Sequence, residues 1–259
     1  MSLTDTLAGI VGDAHVITDP DVLDGRSVDH TGRYRGHASA LVRPGSTDEV
    51  AAVLRACRDA GVYITVQGGR TSLVAGTVPE HDDVLLSTER VRNVGAVDHV
   101  ERRIHVGAGA TLADVQRAAS AADLVFGVDL AAEGTLGVIT GLDLRLHPRP
   151  TQRVTAICGF DDLDALVETG RAFRDMDGIA ALELIDARAS ALTAEHVGVA
   201  APVDGQWQLL IELAGDTDQT ERLANALGDA RMMGEPAVGV DVGAQQRLWQ
   251  VRESVAEVL

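Results

Sequence analysis

Short apolar stretches alternate with amphipathic ones along the first 150 residues, which predicts small strands separated by helices. The clearest helix begins near Val50, because Val50, Val53 and Cys57 fall on one face at helical spacing. Ser46 or Thr47 can cap its amino end. A further helix is predicted over residues 112–121, an amphipathic segment over 3–11, and strands over 40–44, 63–67, 83–87, 91–97, 103–106 and 142–146.

The pattern changes after a proline-containing stretch at residues 148–150. Beyond it, strands are predicted over residues 154–157, 180–185 and 207–213, and helices over 163–174, over 220–230 and from about 244 onward. This order of strands and helices suits a ferredoxin-like sandwich. We therefore expect an α+β protein with a lead at residues 1–35, a first domain at 36–150 and a second domain at 151–259.

Composition narrows the classes of function. The formal net charge is -17, and such an acidic surface repels nucleic acid and anionic lipid. The sequence contains no apolar run of membrane-spanning length and no secretory signal at its start, so we expect a cytoplasmic protein. Cys57 and Cys158 lie in separate apolar stretches, which predicts two buried free thiols. The histidines have no metal-ligand spacing, so no metal site is predicted.

A glycine-rich segment directly follows the strand predicted at 63–67. Two adjacent glycines let the backbone approach a ligand with successive N–H groups pointing at it, and the hydroxyls that follow add donors. The segment is therefore a candidate diphosphate cradle, and the alternative is an ordinary glycine-rich turn. Its residues are Val66, Gln67, Gly68, Gly69, Arg70, Thr71 and Ser72.

A second glycine-rich turn, with Gly107 and Gly109, joins a predicted strand to a predicted helix. With Asp129 about 20 residues further on, it imitates the dinucleotide fingerprint of NAD-binding proteins. Leu112 stands where the third glycine of that fingerprint belongs. The alternative is a tight β-to-α turn with no ligand.

Two further features are candidates for binding. A segment of small and apolar residues suits a backbone pressed against a flat ligand, and it consists of Glu133, Gly134, Thr135, Leu136, Gly137, Val138 and Ile139. Arg252 shares a helix face with Leu248, so its guanidinium is a candidate for bidentate binding of a carboxylate. The alternative is an exposed arginine paired with Glu253 or Glu257.

Taken in order, these segments resemble the FAD-linked oxidases of the vanillyl-alcohol-oxidase type, which have a PCMH-type FAD-binding domain. Among them the D-2-hydroxyglutarate and D-lactate dehydrogenases and the glycolate oxidase subunits are the most similar. The resemblance implies two α+β subdomains, incomplete here, followed by a partial ferredoxin-like cap domain. It also implies that residues 66–72 wrap the FAD diphosphate, that residues 133–139 line the flavin, and that the Gly107 turn is scaffold.

The same resemblance implies non-covalent FAD, because the first loop has Arg70 and no histidine. It assigns to Arg252 the role of holding the substrate carboxylate, with Ala256 where relatives often have threonine. The expected function is oxidation of a small D-2-hydroxy acid by hydride transfer to flavin, with an unidentified electron acceptor. A homo-oligomeric state is compatible with this function. Relatives carry a long segment that is missing here near residues 129–133, and further residues beyond 259. The alternative is therefore an inactive remnant or assembly module without flavin.

Overall fold

The computed structural model describes residues 2–127 and 137–255, which divide into two compact units, Met1–Arg149 and Pro150–Leu259. The elements of the first unit are α1 (Leu3–Val11), β1 (Val16–Ile17), α2 (Pro20–Arg26), β2 (Ala38–Val42), α3 (Thr47–Ala60), β3 (Ile64–Gln67), β4 (Asp83–Ser87), β5 (Arg103–Gly107), α4 (Leu112–Ala121), β6 (Leu124–Val125), β7 (Gly141–Arg145) and β8 (His147–Pro148). Those of the second unit are β9 (Gln152–Phe160), α5 (Leu163–Arg174), β10 (Ile179–Asp186), α6 (Ala187–His196), β11 (Trp207–Gly215), α7 (Gln219–Leu227), β12 (Met233–Gly239) and α8 (Val242–Glu253).

The largest sheet of the first unit has the strand order β1–β2–β4–β3. Strands β2 and β3 both run parallel to β4, so these three strands end at one edge, called here the carboxyl edge. Helices α1 and α3 pack together against the sheet, and their contact buries Leu7, Val53, Cys57, Val84 and Leu86. Ligands of open α/β sheets bind at such an edge, because the loops after neighbouring strands meet there.

Helix α3 begins and ends where its sequence predicts. The Ser46 side chain accepts a hydrogen bond from the backbone N–H of Glu49 at 3.1 Å and so caps the first turn. Gly61 ends the helix in the left-handed conformation with φ 69°. The apolar face of the helix, with Val50 and Val53, is buried. Local sequence and tertiary packing therefore agree along this element.

The rest of the first unit forms two small antiparallel pairs, β5–β7 and β6–β8, which pack with α4 around Ile104, Val115 and Leu144. The prediction of a strand over residues 91–97 is wrong. That stretch forms only an isolated bridge between Val94 and Val106. The reason is that the Val91 N–H donates to the Thr88 carbonyl in a turn, while the Val91 carbonyl accepts from Gly109.

The second unit is a four-stranded antiparallel sheet in the order β10–β11–β9–β12, which is the ferredoxin-like arrangement predicted. One face packs against α5 and α7 around Phe160, Phe173 and Ile211. The other face packs against α8 through Leu210 and Leu248. Helix α6 and strand β12 were not predicted.

Cys57 and Cys158 are buried and free, as predicted. Burial raises the pKa of Cys57 to about 11 and that of Cys158 to about 12. Among the helices described, none combines the length and the apolar character needed to cross a membrane.

Candidate functional site

The glycine loop, residues 68–72, leaves the sheet at the carboxyl edge, directly after β3. Between described residues, no hydrogen bond uses a backbone N–H of this loop as donor. A Cβ added to Gly69 would meet nothing within 4 Å, and one added to Gly68 would meet only the Thr88 hydroxyl at 3.9 Å. The backbone N–H groups of the loop therefore donate to no described residue, and there is open space beside the glycines. This arrangement suits the binding of an anion.

Arg70 is held in an unusual backbone conformation within this loop. Its φ is 57°, in the left-handed region where side chains other than glycine are disfavoured. Its guanidinium donates to the Gly25 carbonyl at 2.9 Å, which ties the loop to the end of α2. The pKa of Arg70 lies below its usual value because burial and the neighbouring Arg26 lower it by more than Glu89 raises it. Strain of this kind concentrates at functional sites.

An arginine cluster, Arg26, Arg43, Arg70 and Arg90, includes a residue of the loop, Arg70, whose charge interacts with Arg26 and Glu89. Arg26 and Arg43 each bind Glu89, at 3.0 and 3.1 Å. Burial raises the pKa of Glu89, but hydrogen bonds from Arg26 and Arg43 outweigh it and leave the pKa below its usual value. Arg90 donates to the Arg43 carbonyl at 2.6 Å.

This cluster has more positive than negative charge. In the part of the chain that the structure describes, this cluster contains four guanidiniums and two carboxylates, since Glu49 is the second acid in contact, 3.8 Å from Arg90. The local excess of positive charge favours an anion in a chain whose overall charge is strongly negative. Apart from Arg70, the arginines of the cluster were not predicted as site residues. Arg26 and Arg43 are far apart in sequence, and only the sheet brings both to Glu89.

Several buried polar atoms at the carboxyl edge fit a polar ligand. Val66 and Gln67 form the end of β3, and Gln67 is fully buried. The Gln67 amide nitrogen donates to the carbonyls of Arg26 and Thr77, at 2.8 and 2.9 Å. Its Oε1, the Thr77 hydroxyl and the Arg43 Nε have no hydrogen-bond partner among the described residues. Buried polar atoms need partners. The Arg43 Nε and the Thr77 hydroxyl can donate to an anionic group, whereas the Gln67 Oε1 is an acceptor and suits an ordered water.

The described part of the third predicted segment lies at the same edge. Val138 packs against the same core cluster as Val66. Beside it, the Thr47 hydroxyl at the start of α3 donates to the Thr140 hydroxyl at 3.0 Å. Gly137 and Ile139 are exposed. The other predicted residues of this segment, Glu133, Gly134, Thr135 and Leu136, lie outside the described residues.

The turn at Gly107 and Gly109 is closed to ligands. The Gly107 N–H donates to Asn93, that of Ala108 to Thr140 and that of Gly109 to Val91, at 2.8, 3.1 and 2.8 Å. A Cβ at Gly109 would collide with the Thr88 carbonyl oxygen. Every pairing of β5 with a described residue is antiparallel, so within the described residues the turn does not belong to a parallel βαβ unit. These contacts exclude an NAD site here and support the scaffold role.

Arg252 lies near the end of α8 in the second unit and is paired differently from the sequence-based alternative. Its Nε donates to Oε2 of Glu183 on β10 at 2.6 Å. The predicted alternative partner Glu253 forms no ion pair with it, and Glu257 and the neighbouring Ala256 lie outside the described residues. Within residues 2–127 and 137–255, no group of three or more acidic, histidine or cysteine side chains could hold a metal ion.

Comparison with known proteins identifies both units. Residues 38–142 match the family described as FAD binding domain, and residues 149–259 match the FAD linked oxidases, C-terminal domain. Mitochondrial D-2-hydroxyglutarate dehydrogenase of Bos taurus is 28% identical over 316 residues, which is 94% of this chain and 58% of the relative. D-2-hydroxyglutarate dehydrogenase of Stutzerimonas stutzeri is 24% identical over 330 residues, covering 100% of this chain and 71% of the relative.

Solved structures show the same fold at low identity. An alkyldihydroxyacetonephosphate synthase has a TM-score of 0.67 and 15% identity, covering 96% of this chain and 64% of that protein. Substrate-bound p-cresol methylhydroxylase has a TM-score of 0.67 and 14% identity, covering 99% of this chain and 68% of that protein. The predicted PCMH-type fold class is confirmed. The chain spans just under six tenths of the length of the bovine relative.

Proposed function

The chain belongs to the FAD-linked oxidases, and from this we propose that it is an FAD-dependent oxidoreductase acting on a small D-2-hydroxy acid. The substrate class is lactate, glycolate or 2-hydroxyglutarate. One observation carries the proposal. The N–H groups of residues 68–72 donate to no described residue, and Arg70 of this loop belongs to the arginine cluster. The loop lies inside the stretch that matches the FAD binding domain. FAD is the cofactor that this domain binds, and when bound it supplies the hydride acceptor.

The first unit binds and orients the cofactor in this proposal. The N–H groups of residues 68–72 donate to the diphosphate, and the hydroxyls of Thr71 and Ser72 add two donors. The arginine cluster offsets the diphosphate charge, and Glu89 keeps Arg26 and Arg43 in place. Residues 133–139 line the flavin. No covalent link to FAD is expected, because residues 66–72 contain no histidine.

The second unit binds the substrate in this proposal. Arg252 holds the carboxylate of the hydroxy acid and so fixes one end of the substrate. A guanidinium suits this role because its planar donors match the two oxygens of a carboxylate. The electron acceptor is an unidentified partner, and both a cytoplasmic location and a homo-oligomeric state remain parts of the proposal.

A visible absorption spectrum of the purified full-length chain tests the proposal. We expect a flavin band at close to one FAD per chain, if necessary after incubation with added FAD. Acid precipitation should release the yellow colour into the supernatant, because the cofactor is not covalently attached. A folded, colourless chain that does not take up added FAD would overturn the proposal.

One finding keeps a second candidate function in view. The alignment with the bovine relative runs over 316 positions, more than the 259 residues of this chain, so the relative contains residues that have no counterpart here. An inactive remnant that binds no flavin fits that finding. A panel of D-2-hydroxy acids with an artificial dye acceptor separates the two candidates. Turnover of one acid, lost in Arg252→Met, supports the enzyme, whereas a folded chain that takes up no flavin and turns over none of the acids supports the remnant.

A further inference from the structure

The ion pair between Arg252 and Glu183 leaves part of the guanidinium available. Glu183 binds the Nε atom. Nη1 and Nη2 of Arg252 donate no hydrogen bond to another described residue. A guanidinium has five N–H donors in a rigid fork, so a side chain held at Nε can still present the Nη1–Nη2 edge to a second carboxylate.

The neighbouring carboxylate does not compete for Arg252. Glu212 lies on the same sheet face as Glu183, because it pairs with Ala181, two residues before Glu183 on β10. Glu212 accepts hydrogen bonds from Arg153, from the Thr155 hydroxyl at 3.0 Å and from the Trp249 indole at 2.7 Å. Its oxygens are therefore occupied, and Glu183 alone among the described carboxylates orients Arg252.

We infer that Glu183 is a positioning residue, which holds Arg252 so that its Nη1–Nη2 edge receives the carboxylate of the substrate. This inference rests on the proposed function. The Arg252 and Glu183 side chains are 45% and 33% exposed, so a ligand can reach them and water screens their charges. For this reason the orientation supplied by Glu183 outweighs its electrostatic competition with a bound anion. A flexible arginine would otherwise have to lose its side-chain freedom when the ligand binds.

The test uses the FAD-loaded full-length chain and oxalate, a small carboxylate with no α-hydrogen to transfer. Isothermal titration calorimetry measures the dissociation constant of oxalate for each variant. We expect Glu183→Ala to raise it about tenfold, because the ordering of Arg252 must then occur on binding. Glu183→Gln keeps an acceptor for Nε and should bind oxalate within about twofold of the parent chain. The matched control for Glu183→Ala is Glu168→Ala, which removes the acceptor of an exposed 2.9 Å pair with Arg231 and should leave oxalate binding unchanged.

Kinetics with the best hydroxy acid add a second readout. Glu183→Ala should raise KM while kcat stays nearly constant, because the lost interaction concerns binding rather than the chemical step. Normal oxalate binding by Glu183→Ala, or tighter binding by both Glu183 variants, would overturn the inference. So would equally weak binding by Glu183→Gln and Glu183→Ala. Arg252→Met distinguishes a failure of this inference from a failure of the proposed function. If it binds oxalate like the parent chain, or if the parent chain binds none, the proposed function itself fails.

Discussion

Two glycine-rich turns, at Gly68–Gly69 and at Gly107–Gly109, each follow a strand but serve opposite purposes. In the first, the N–H groups donate to no described residue and the glycines face open space. In the second, the N–H groups donate to neighbouring backbone, and an added Cβ would strike a carbonyl oxygen. Glycine allows close approach in both, to the proposed diphosphate in the first turn and to the chain itself in the second. The two uses differ in what lies beside the turn, and the glycines alone do not reveal it.

Gly109→Ala should produce the largest effect. The new Cβ would collide with the Thr88 carbonyl, and backbone on both sides would have to move. We expect a loss of about 2–3 kcal/mol in the free energy of unfolding, measured by urea denaturation. The matched control is Gly9→Ala in α1, where an added Cβ meets nothing, and it should raise stability by about 0.5–1 kcal/mol. Equal stabilities for the two variants would remove the contrast between the turns.

Gly69→Ala should leave stability nearly unchanged and weaken FAD binding, in contrast to Gly109→Ala. The position is free of close contacts and does not need a positive φ, so the stability of the chain without FAD should change by less than about 0.5 kcal/mol. The new methyl group would instead displace the diphosphate from the N–H groups. We expect the FAD dissociation constant to rise about tenfold or more, measured by flavin fluorescence quenching. FAD binding as tight as that of Gly9→Ala would contradict the cradle.

Arg70 can be tested by comparing two replacements. Arg70→Gly and Arg70→Ala both remove the guanidinium, and each should weaken FAD binding by about tenfold. Only glycine also relieves the positive φ, so Arg70→Gly should be more stable than Arg70→Ala by about 1 kcal/mol. Thermal unfolding without FAD measures this difference. Identical unfolding temperatures would show that Arg70 carries no backbone strain.

The smallest expected effect concerns Glu89 and is a dependence of the free energy of unfolding on pH. Its folded-state pKa lies below the unfolded value, so its stabilising contribution is complete above the unfolded pKa and is lost as the pH falls through the folded pKa. The parent chain should therefore lose its stability advantage over Glu89→Gln on acidification from pH 7 to below pH 4. Urea denaturation of both chains across this range provides the measurement. A constant difference between them would mean that Glu89 is not ionised in its contacts with Arg26 and Arg43.

The sequence predicted those parts of the fold and site that depend on local signals. Helix α3 has a cap, a terminating glycine and an apolar face within one short stretch, and each was found in place. The prediction of a strand at 91–97 was wrong because the Val91 N–H is used by a turn from Thr88 and the Val91 carbonyl accepts from Gly109. The arginine cluster was missed because Arg26, Arg43 and Glu89 meet only after the sheet has formed. For the same reason Glu183 was not foreseen as the partner of Arg252, since strand and helix are distant in sequence.

The burial of Cys57 and Cys158 has a practical consequence for the study of this protein. Thiolate is the reactive form of cysteine, and neither side chain is accessible or ionised near neutral pH. A cysteine introduced at an exposed position would therefore be the one thiol that a maleimide dye labels in the folded chain. Pairs of such labels, one in each unit, would allow the distance between the two units to be followed by energy transfer while FAD and a hydroxy acid are added.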